Sequence, residues 1–366
     1  MRTLSDTLAR LKQLRPVPTA SVPANGRLQP FVGFGSNPGR LKSCIYLPDS
    51  AGPGAPLVVV LHGCTQNASA YDESSGWSRL ADQFGFIVLY PEQQRANNPN
   101  LCFNWFSPAD AARGQGEALS IRQMIAAAQT RHRTDSERVF VNGLSAGGAM
   151  AAVMLATYPE VFDAGAVIAG LPFGVACTVP EAFDRMRGHG GPTRERLAGL
   201  VKNASRHTGR WPRLSVWHGT ADNTVDQLNA SALIAQWRPL HGAPAAPSET
   251  DIVNGYPHRV WRDASGRAAI EEYSITNLGH GTPLDVASSG HGETAAPFML
   301  DANISSTRLI ASFWGIAAQP TEVRTSAAVE PVPTLFERAN SRPGALPQAG
   351  IQRTIEDALR SAGLLR

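Results

Sequence analysis

Short apolar runs alternate with stretches of helical periodicity along most of the chain. Seven runs have the length and the Val, Ile and Leu content of buried strands, at 41–48, 56–63, 86–92, 138–143, 164–168, 214–219 and 269–275. Helical patterns occupy 76–84, 115–133 and 304–315, and an Ala- and Met-rich helix follows 143. This alternation predicts an α/β fold, a mostly parallel, doubly wound sheet with helices on both faces. Reactive groups of such a sheet lie on loops beyond the carboxyl ends of its strands.

The pattern divides the chain into three regions. Residues 1–40 are predicted to form an amphipathic helix, with Leu4, Leu8, Leu11 and Leu14 on one face, and then a loop. Residues 41–316 are predicted to be the catalytic domain, with a small insertion or lid at 171–212. Residues 317–366 are predicted to be a Pro-rich linker and a second amphipathic helix. Packing on the domain or self-association is the expected role of both helices, and docking on a polymer granule or lipid-like surface is the alternative.

Composition excludes several classes of function. Of 366 residues, 43% are hydrophobic and 17% charged, and the formal charge of +3 comes with scattered basic residues, so no nucleic-acid partner is predicted. No stretch approaches the roughly 18–20 apolar residues of a membrane span. The first residues lack the apolar core of a secretory signal, which favours a cytoplasmic location. The four cysteines have neither CxxC spacing nor a neighbouring His cluster, so no metal site is predicted.

A candidate nucleophile stands where an apolar strand meets a helix of small residues. Gly143-Leu144-Ser145-Ala146-Gly147 fits the G-x-S-x-G pattern, in which a strained turn projects the serine hydroxyl above the sheet. Glycine is needed two residues before and two residues after the serine, because a side chain at either position would collide with the backbone. The following helix directs amides and its positive end toward a developing oxyanion. The alternative is a Gly/Ser turn without chemistry.

A serine hydroxyl needs a base and an orienting acid, which in the α/β-hydrolase fold follow in the order Asp or Glu, then His. Asp222, in the loop after the strand at 214–219, is preferred over Asp226, which is expected to be a helix-end or solvated charge. His280, after the strand at 269–275, is preferred over His291. Packing or surface positions are expected for the three other candidates, His218, His241 and His258.

The loop after the strand at 56–63 is predicted to supply half of an oxyanion hole. We expect the backbone amides of Ala146 and Cys64 to be the two donors. His62 is expected to hold this loop rather than act as a base. The motifs require neither a metal nor an organic cofactor.

Several segments together resemble the polyhydroxybutyrate depolymerase-type esterases, an α/β-hydrolase family that includes feruloyl and acetyl esterases of plant polysaccharides. The resemblance covers about 41–315 and rests on LHGCTQNA (61–68), CFNWF (102–106), GEALSIRQMI (116–125), VNGLSAGGAM (141–150), WHGTADNTV (217–225) and APFMLDANISSTRLIASFWG (296–315).

The resemblance implies a serine carboxylic-ester hydrolase with Ser145, Asp222 and His280 as its triad. It implies a substrate-lining role for Trp105 beside Asn104, with a core position as the alternative for Trp105. It also permits a Cys64–Cys102 disulfide, with reduced thiols equally open, and an extracellular location as the alternative to the cytoplasm.

Esters of poly- or oligo(3-hydroxyalkanoates) are the first substrate expectation. Feruloyl or acetyl esters on plant polysaccharide are the second, peptides a distant third, and a non-catalytic binding protein on the same fold is the competing class. Two departures from the family speak against crystalline polymer as the substrate: Gly281-Thr282-Pro283 follows His280, and no polymer-binding domain is visible after the catalytic region.

Overall fold

The computed structural model describes residues 26–288, 290, 292–318 and 324–326. The predicted amphipathic stretches at both ends lie outside these residues, as does His291. Within the described residues, eleven strands form one sheet in the order β1-β2-β4-β3-β5-β6-β7-β10-β9-β8-β13, and β11 and β12 form a separate pair. The strands are Gln29–Pro30 (β1), Lys42–Tyr46 (β2), Leu57–Leu61 (β3), Ile87–Glu92 (β4), Val139–Leu144 (β5), Ala164–Ile168 (β6), Arg213–Gly219 (β7), Glu249–Val253 (β8), Tyr256–Arg262 (β9), Ala268–Ile275 (β10), Thr282–Leu284 (β11), Met299–Asp301 (β12) and Arg324–Ser326 (β13).

The six central strands, from β4 to β10 in sheet order, pair in parallel, while β1, β2, β9, β8 and β13 add antiparallel edges. This is the predicted mostly parallel, doubly wound sheet. The helices are Ala68–Ser75 (α1), Trp77–Phe84 (α2), Pro108–Ala111 (α3), Gly116–His132 (α4), Ala146–Thr157 (α5), Val179–Met186 (α6), Arg194–Ala204 (α7), Leu228–Trp237 (α8) and Ser306–Trp314 (α9).

Strand β3 shows why the central runs are apolar at every position. Leu57, Val59 and Leu61 pack into one buried cluster, and Val58 and Val60 pack into another on the opposite face. Because successive side chains of a strand point to opposite faces, a strand covered by helices on both sides has no solvent-facing position. Helices α4 to α8 contribute to the first cluster and α1, α2 and α9 to the second.

Helix α5, which begins directly after the candidate nucleophile Ser145, lies in the middle of this packing. All twelve of its residues are buried, and most are Ala, Gly or Met. The small side chains let the helix approach β5 and β6 closely, which fixes its amino end at the carboxyl end of β5.

The segment predicted as an insertion, 171–212, contains α6 and α7. Only Ala182 of α6 is buried, so most of this helix lies at the surface. The sheet also extends beyond the predicted domain limits, since β1 precedes residue 41 and β13 follows residue 316.

Candidate active site

Ser145 occupies the strained turn between β5 and α5. Its φ of 57° and ψ of −118° lie outside the regions that L-residues ordinarily adopt. Such strain persists only where surrounding structure enforces it, and it is concentrated at functional sites. The turn leaves Ser145 just 9% exposed, at the wall of a cavity.

The two glycines of the motif are required by direct backbone contacts. A Cβ on Gly143 would lie 2.2 Å from the carbonyl oxygen of Gly147, and a Cβ on Gly147 would lie 2.3 Å from the carbonyl oxygen of Leu61. Backbone atoms at the centre of a buried sheet cannot move away, so the expectation that these positions exclude side chains holds in the structure.

We expect Gly147→Ala to lower the free energy of unfolding by about 3 kcal/mol or more, at the upper end of the cost of overpacking a core. It should also lower kcat, because the added methyl pushes the end of β3 away from Ser145. Chemical denaturation and ester hydrolysis measure the two effects. Gly199→Ala, within helix α7, is the matched control. Apart from its chain neighbours and the backbone of its own helix, no atom lies within 4 Å of the added Cβ, so the substitution should stabilise the protein slightly. Equal stability of the two variants would contradict the expectation.

Three loops bring the predicted triad side chains into one hydrogen-bonded line. The Nε2 atom of His280 lies 2.9 Å from Ser145 Oγ, and its Nδ1 atom lies 2.7 Å from Asp222 Oδ2. A carboxylate only accepts, so Nδ1 carries the proton and Nε2 presents a lone pair to the serine hydroxyl. This is the tautomer that a general base requires.

Asp222 is held as a charged acceptor. Its Oδ1 atom accepts hydrogen bonds of 2.9 Å from the amides of Thr224 and Val225. Burial alone would raise the pKa of Asp222, but hydrogen bonds from His218 and His280 outweigh it and hold this pKa well below its usual range. The carboxylate therefore stays ionised beside the imidazole throughout the neutral range.

The structure separates the competing candidates. Asp226 accepts from the amide of Leu228 at the start of α8, the helix-end position expected for it. His258 is buried, with Asp251 at 2.7 Å and Glu271 at 3.3 Å from its two ring nitrogens. His218 is also buried, but it lies 3.5 Å from Asp222, a contact that the expectation of a packing or surface position did not include.

The loop after β3 and Ser145 line the same cavity. Gly63 donates to the Gln66 side chain at 2.9 Å, and Thr65 donates to the Asn100 carbonyl at 2.7 Å. In the described residues the Cys64 amide between them has no acceptor, and Cys64, Ser145 and Ala146 line the same cavity. Ala146 is the first residue of α5, where amides have no intrahelical partner. Both predicted donors are thus available at the cavity.

A disulfide joins Cys64 to Cys102, with their Cα atoms 4.3 Å apart. It links the loop after β3 to the segment that leads into Trp105, so two walls of the cavity are covalently connected. Cys44 and Cys177 are free thiols.

His62 holds the same loop in a neutral form. Its Nδ1 atom lies 2.7 Å from the Gly63 carbonyl, and its Nε2 atom accepts from the amide of Gln93 at 3.1 Å. A carbonyl accepts and an amide donates, so the ring carries its proton on Nδ1. Burial lowers the pKa of His62, in agreement with this assignment.

The lowered pKa of His62 predicts a loss of stability in acid. Below about pH 6.5 the His62 imidazole binds a proton in the unfolded chain but stays neutral in the folded chain. The free energy of unfolding therefore has its full value above that pH and decreases as the pH falls, by up to about 1.4 kcal/mol per pH unit. We expect His62→Gln to show a shallower decline between pH 6.5 and 5 than the unsubstituted protein. Denaturant titrations at several pH values measure this slope, and parallel declines would contradict the assignment.

A cavity of about 330 Å³ opens beside Ser145 and is walled mainly by apolar side chains. None of its described lining residues is Asp, Glu, Lys or Arg. Helix α6 forms one wall with residues spaced at i, i+3, i+4 and i+7, namely Val179, Ala182, Phe183 and Met186. Polar side chains of the loop after β3 and of the loop at 98–102, including Gln66, Asn98 and Asn100, also line the cavity.

The sequence predicts Trp105 and Asn104 at the substrate site, but in the structure one of the two lines the cavity. Trp105 lines the cavity. The backbone and side-chain nitrogens of Asn104 instead donate to Glu117 at 2.8 and 2.7 Å, and Asn104 does not line the cavity. Burial raises the pKa of Glu117 to about 8, although the hydrogen bond from the Asn104 amide acts in the opposite direction. Asn104 therefore anchors the loop from outside the lining of the cavity.

The part of the chain that the structure describes contains no group of three or more His, Cys, Asp or Glu side chains that could hold a metal ion. No helix there is long and apolar enough to cross a membrane.

Comparison with known proteins identifies the family of this site. Residues 41–250 match the protein family described as "Esterase PHB depolymerase". The chain belongs to this esterase family. A poly(3-hydroxyalkanoate) depolymerase C from Paucimonas lemoignei is 45% identical over 285 residues, which are 77% of this chain and 69% of that protein.

Other relatives have names that refer to feruloyl or acetyl xylan esters. A feruloyl esterase B from Talaromyces stipitatus is 33% identical over 263 residues, covering 69% of this chain and 72% of the relative. The solved acetyl xylan esterase from Aspergillus awamori superimposes with a TM-score of 0.66 at 27% identity, covering 79% of this chain and 99% of that one. These relatives confirm the α/β-hydrolase fold, and the chain is a carboxylic ester hydrolase.

Proposed function

We propose that this esterase hydrolyses oligomeric or polymeric esters of 3-hydroxyalkanoic acids through an acyl-enzyme on Ser145. The observation that carries the proposal is the hydrogen-bonded line from Ser145 through His280 to Asp222 at the wall of an apolar cavity. A non-catalytic binding protein would have no use for a strained serine, a base in the correct tautomer and a buried ionised acid in one line.

The proposed reaction is a double displacement. His280 Nε2 takes the proton of Ser145 as its oxygen attacks the ester carbonyl, and the imidazolium is stabilised by Asp222. His280 then protonates the leaving alcohol. Water, deprotonated by the same nitrogen, releases the acid and restores the serine.

The oxyanion hole that we propose consists of the Cys64 and Ala146 amides. Both line the cavity beside Ser145 without a protein acceptor in the described residues, so they are free to donate to the tetrahedral oxygen. Removing one donor of such a pair costs about 100- to 1000-fold in kcat. The disulfide at Cys64 supports the role because it restricts the loop that carries one of these amides.

The walls of the cavity support an uncharged aliphatic substrate. A hydroxyalkanoate ester exposes short alkyl branches and repeated carbonyl groups and carries no charge along its length. The α6 face, with Phe183 and Met186, suits the alkyl part, and the amide side chains of Asn98, Asn100 and Gln66 suit the carbonyl groups. The 45% identity to the Paucimonas lemoignei depolymerase supports the same substrate class.

A second candidate, a feruloyl or acetyl esterase, is favoured by the aromatic side chains in the cavity and by the relatives with those names. Phe183, Phe298, Trp105 and Phe106 all line the site and could pack against a phenyl ring.

A substrate panel tests the proposal. We expect kcat/KM for 3-hydroxybutyrate trimer to exceed that for methyl ferulate and for an acetylated xylo-oligosaccharide by at least tenfold. Each rate is measured on the full chain, with the rate of Ser145→Ala subtracted as background. Faster turnover of the feruloyl or acetyl substrate would replace the first candidate by the second, and no turnover of any ester would overturn both.

A further inference from the structure

The acid of the proposed triad has a second histidine behind it. His218 is near the end of β7, four residues before Asp222, and is 4% exposed. Its Nε2 atom lies 2.7 Å from the carbonyl oxygen of Val225 and 3.5 Å from Asp222 Oδ2. The ring therefore spans the turn that carries the acid.

The contacts fix the protonation state of the nitrogen that faces this turn. The Val225 carbonyl can only accept, so Nε2 of His218 carries a hydrogen and donates it. The same N–H faces Asp222, at a distance that makes it a weak second contact. Nδ1 of His218 is buried and has no hydrogen-bond partner in the described residues.

The turn from Asp222 to Val225 is held by hydrogen bonds to the side chains of Asp222 and His218. Asp222 Oδ1 accepts from the amides of Thr224 and Val225, while His218 holds the Val225 carbonyl. The remaining oxygen, Oδ2, receives His280. Both oxygens of the Asp222 carboxylate therefore accept hydrogen bonds. Rotation of this side chain would break three of them at once.

We infer that His218 is a positioning residue, which holds Asp222 in the orientation that His280 requires and anchors Val225 in the cavity wall. The inference rests on the proposed triad. It goes beyond the three-residue line because it assigns a role in catalysis to a residue that touches neither substrate nor nucleophile. The hydrogen bond from His218 also contributes to the lowered pKa of Asp222, against the effect of burial.

Two substitutions at 218 separate positioning from packing. His218→Leu keeps a side chain of similar size but removes the donor, and His218→Gln places an amide nitrogen close to the position of Nε2. We expect His218→Leu to lower kcat at least tenfold with KM changed less than twofold, since misplaced catalytic groups reduce rates by up to about 100-fold. His218→Gln should recover kcat to within threefold of the unsubstituted enzyme.

A spectroscopic signal tests the same point without turnover. The proton between His280 Nδ1 and Asp222 should give a far-downfield ¹H resonance, which we expect to shift or broaden in His218→Leu and to return in His218→Gln. His258→Gln is the matched control, because it replaces another buried sheet histidine that contacts Asp251 and Glu271 instead of the triad. It should leave both kcat and the resonance unchanged.

Failure of the positioning role of His218 can be distinguished from failure of the proposed catalytic triad. Full activity in Ser145→Ala would overturn the triad itself. A Ser145-dependent enzyme in which His218→Leu keeps its kcat and its resonance would leave the triad standing and overturn the positioning role. Equal losses in His218→Leu, His218→Gln and His258→Gln would likewise overturn it, since they would show a general packing effect.

Discussion

Ser145→Ala should lower kcat for a soluble ester by about a million-fold, the loss seen when the nucleophile of a serine hydrolase triad is removed. The fold should persist, because the hydroxyl makes its hydrogen bond to His280 at the cavity and replacing it removes no core volume. Steady-state hydrolysis and thermal unfolding measure the two properties.

Labelling with a fluorophosphonate gives an independent readout of the same substitution. Intact-mass analysis should show one adduct on the unsubstituted protein and none on Ser145→Ala. Ser265→Ala, in an exposed turn stabilised by Asp263, is the control and should keep both the adduct and the activity. An adduct that survives in Ser145→Ala would place the nucleophile elsewhere.

Asp222→Asn should lower kcat by about 10,000-fold, the effect of that change in a serine protease triad. The structure supplies the reason. Thr224 and Val225 donate to one oxygen of the side chain, so the asparagine carbonyl is held there and its NH₂ group faces His280. His280 must then present a lone pair on Nδ1 and carry its proton on Nε2, where it cannot accept the serine proton.

Asp226→Asn is the matched control for this change. Asp226 is four residues further along the same loop. The hydrogen bond described for its side chain is to the Leu228 amide at the start of α8, so activity should stay within twofold. The comparison also tests the choice between the two carboxylates that the sequence offers. A large loss of kcat in Asp226→Asn, or less than a tenfold loss in Asp222→Asn, would contradict the geometry.

The parts of this site that local rules determine were predictable from the sequence. The serine motif itself requires glycine at 143 and 147, where an added Cβ would meet the backbone of Gly147 and of Leu61. Chain order together with nearness to the end of the preceding strand favoured Asp222 and His280, the two residues that the structure places in line with Ser145. The central strands were predictable for a similar reason, since burial on both faces leaves an unbroken apolar run such as residues 57–61.

The parts that depend on contacts between distant segments were not predictable. Asn104 adjoins Trp105 in sequence, but its backbone and side-chain nitrogens bond Glu117 on α4, and it does not line the cavity. The role of His218 depends on a turn that closes over it after the strand has ended.

The β8–β9 hairpin, by contrast, was missed although its signal was present. Asn254-Gly255 links two alternating runs, and both residues have positive φ, as a type I′ turn requires. Pro257, within the second run, weakens the strand pattern and hides the hairpin from a search for apolar runs.

The position of α6 has a consequence for how such an enzyme can diversify. Helix α6 lines the cavity and belongs to the segment 171–212, whereas the proposed nucleophile, acid and base come from loops of the sheet. Replacement of a few side chains on that one helix would therefore reshape one wall of the cavity while Ser145, Asp222 and His280 kept their places. Selection for new esters can act there at little cost to turnover chemistry.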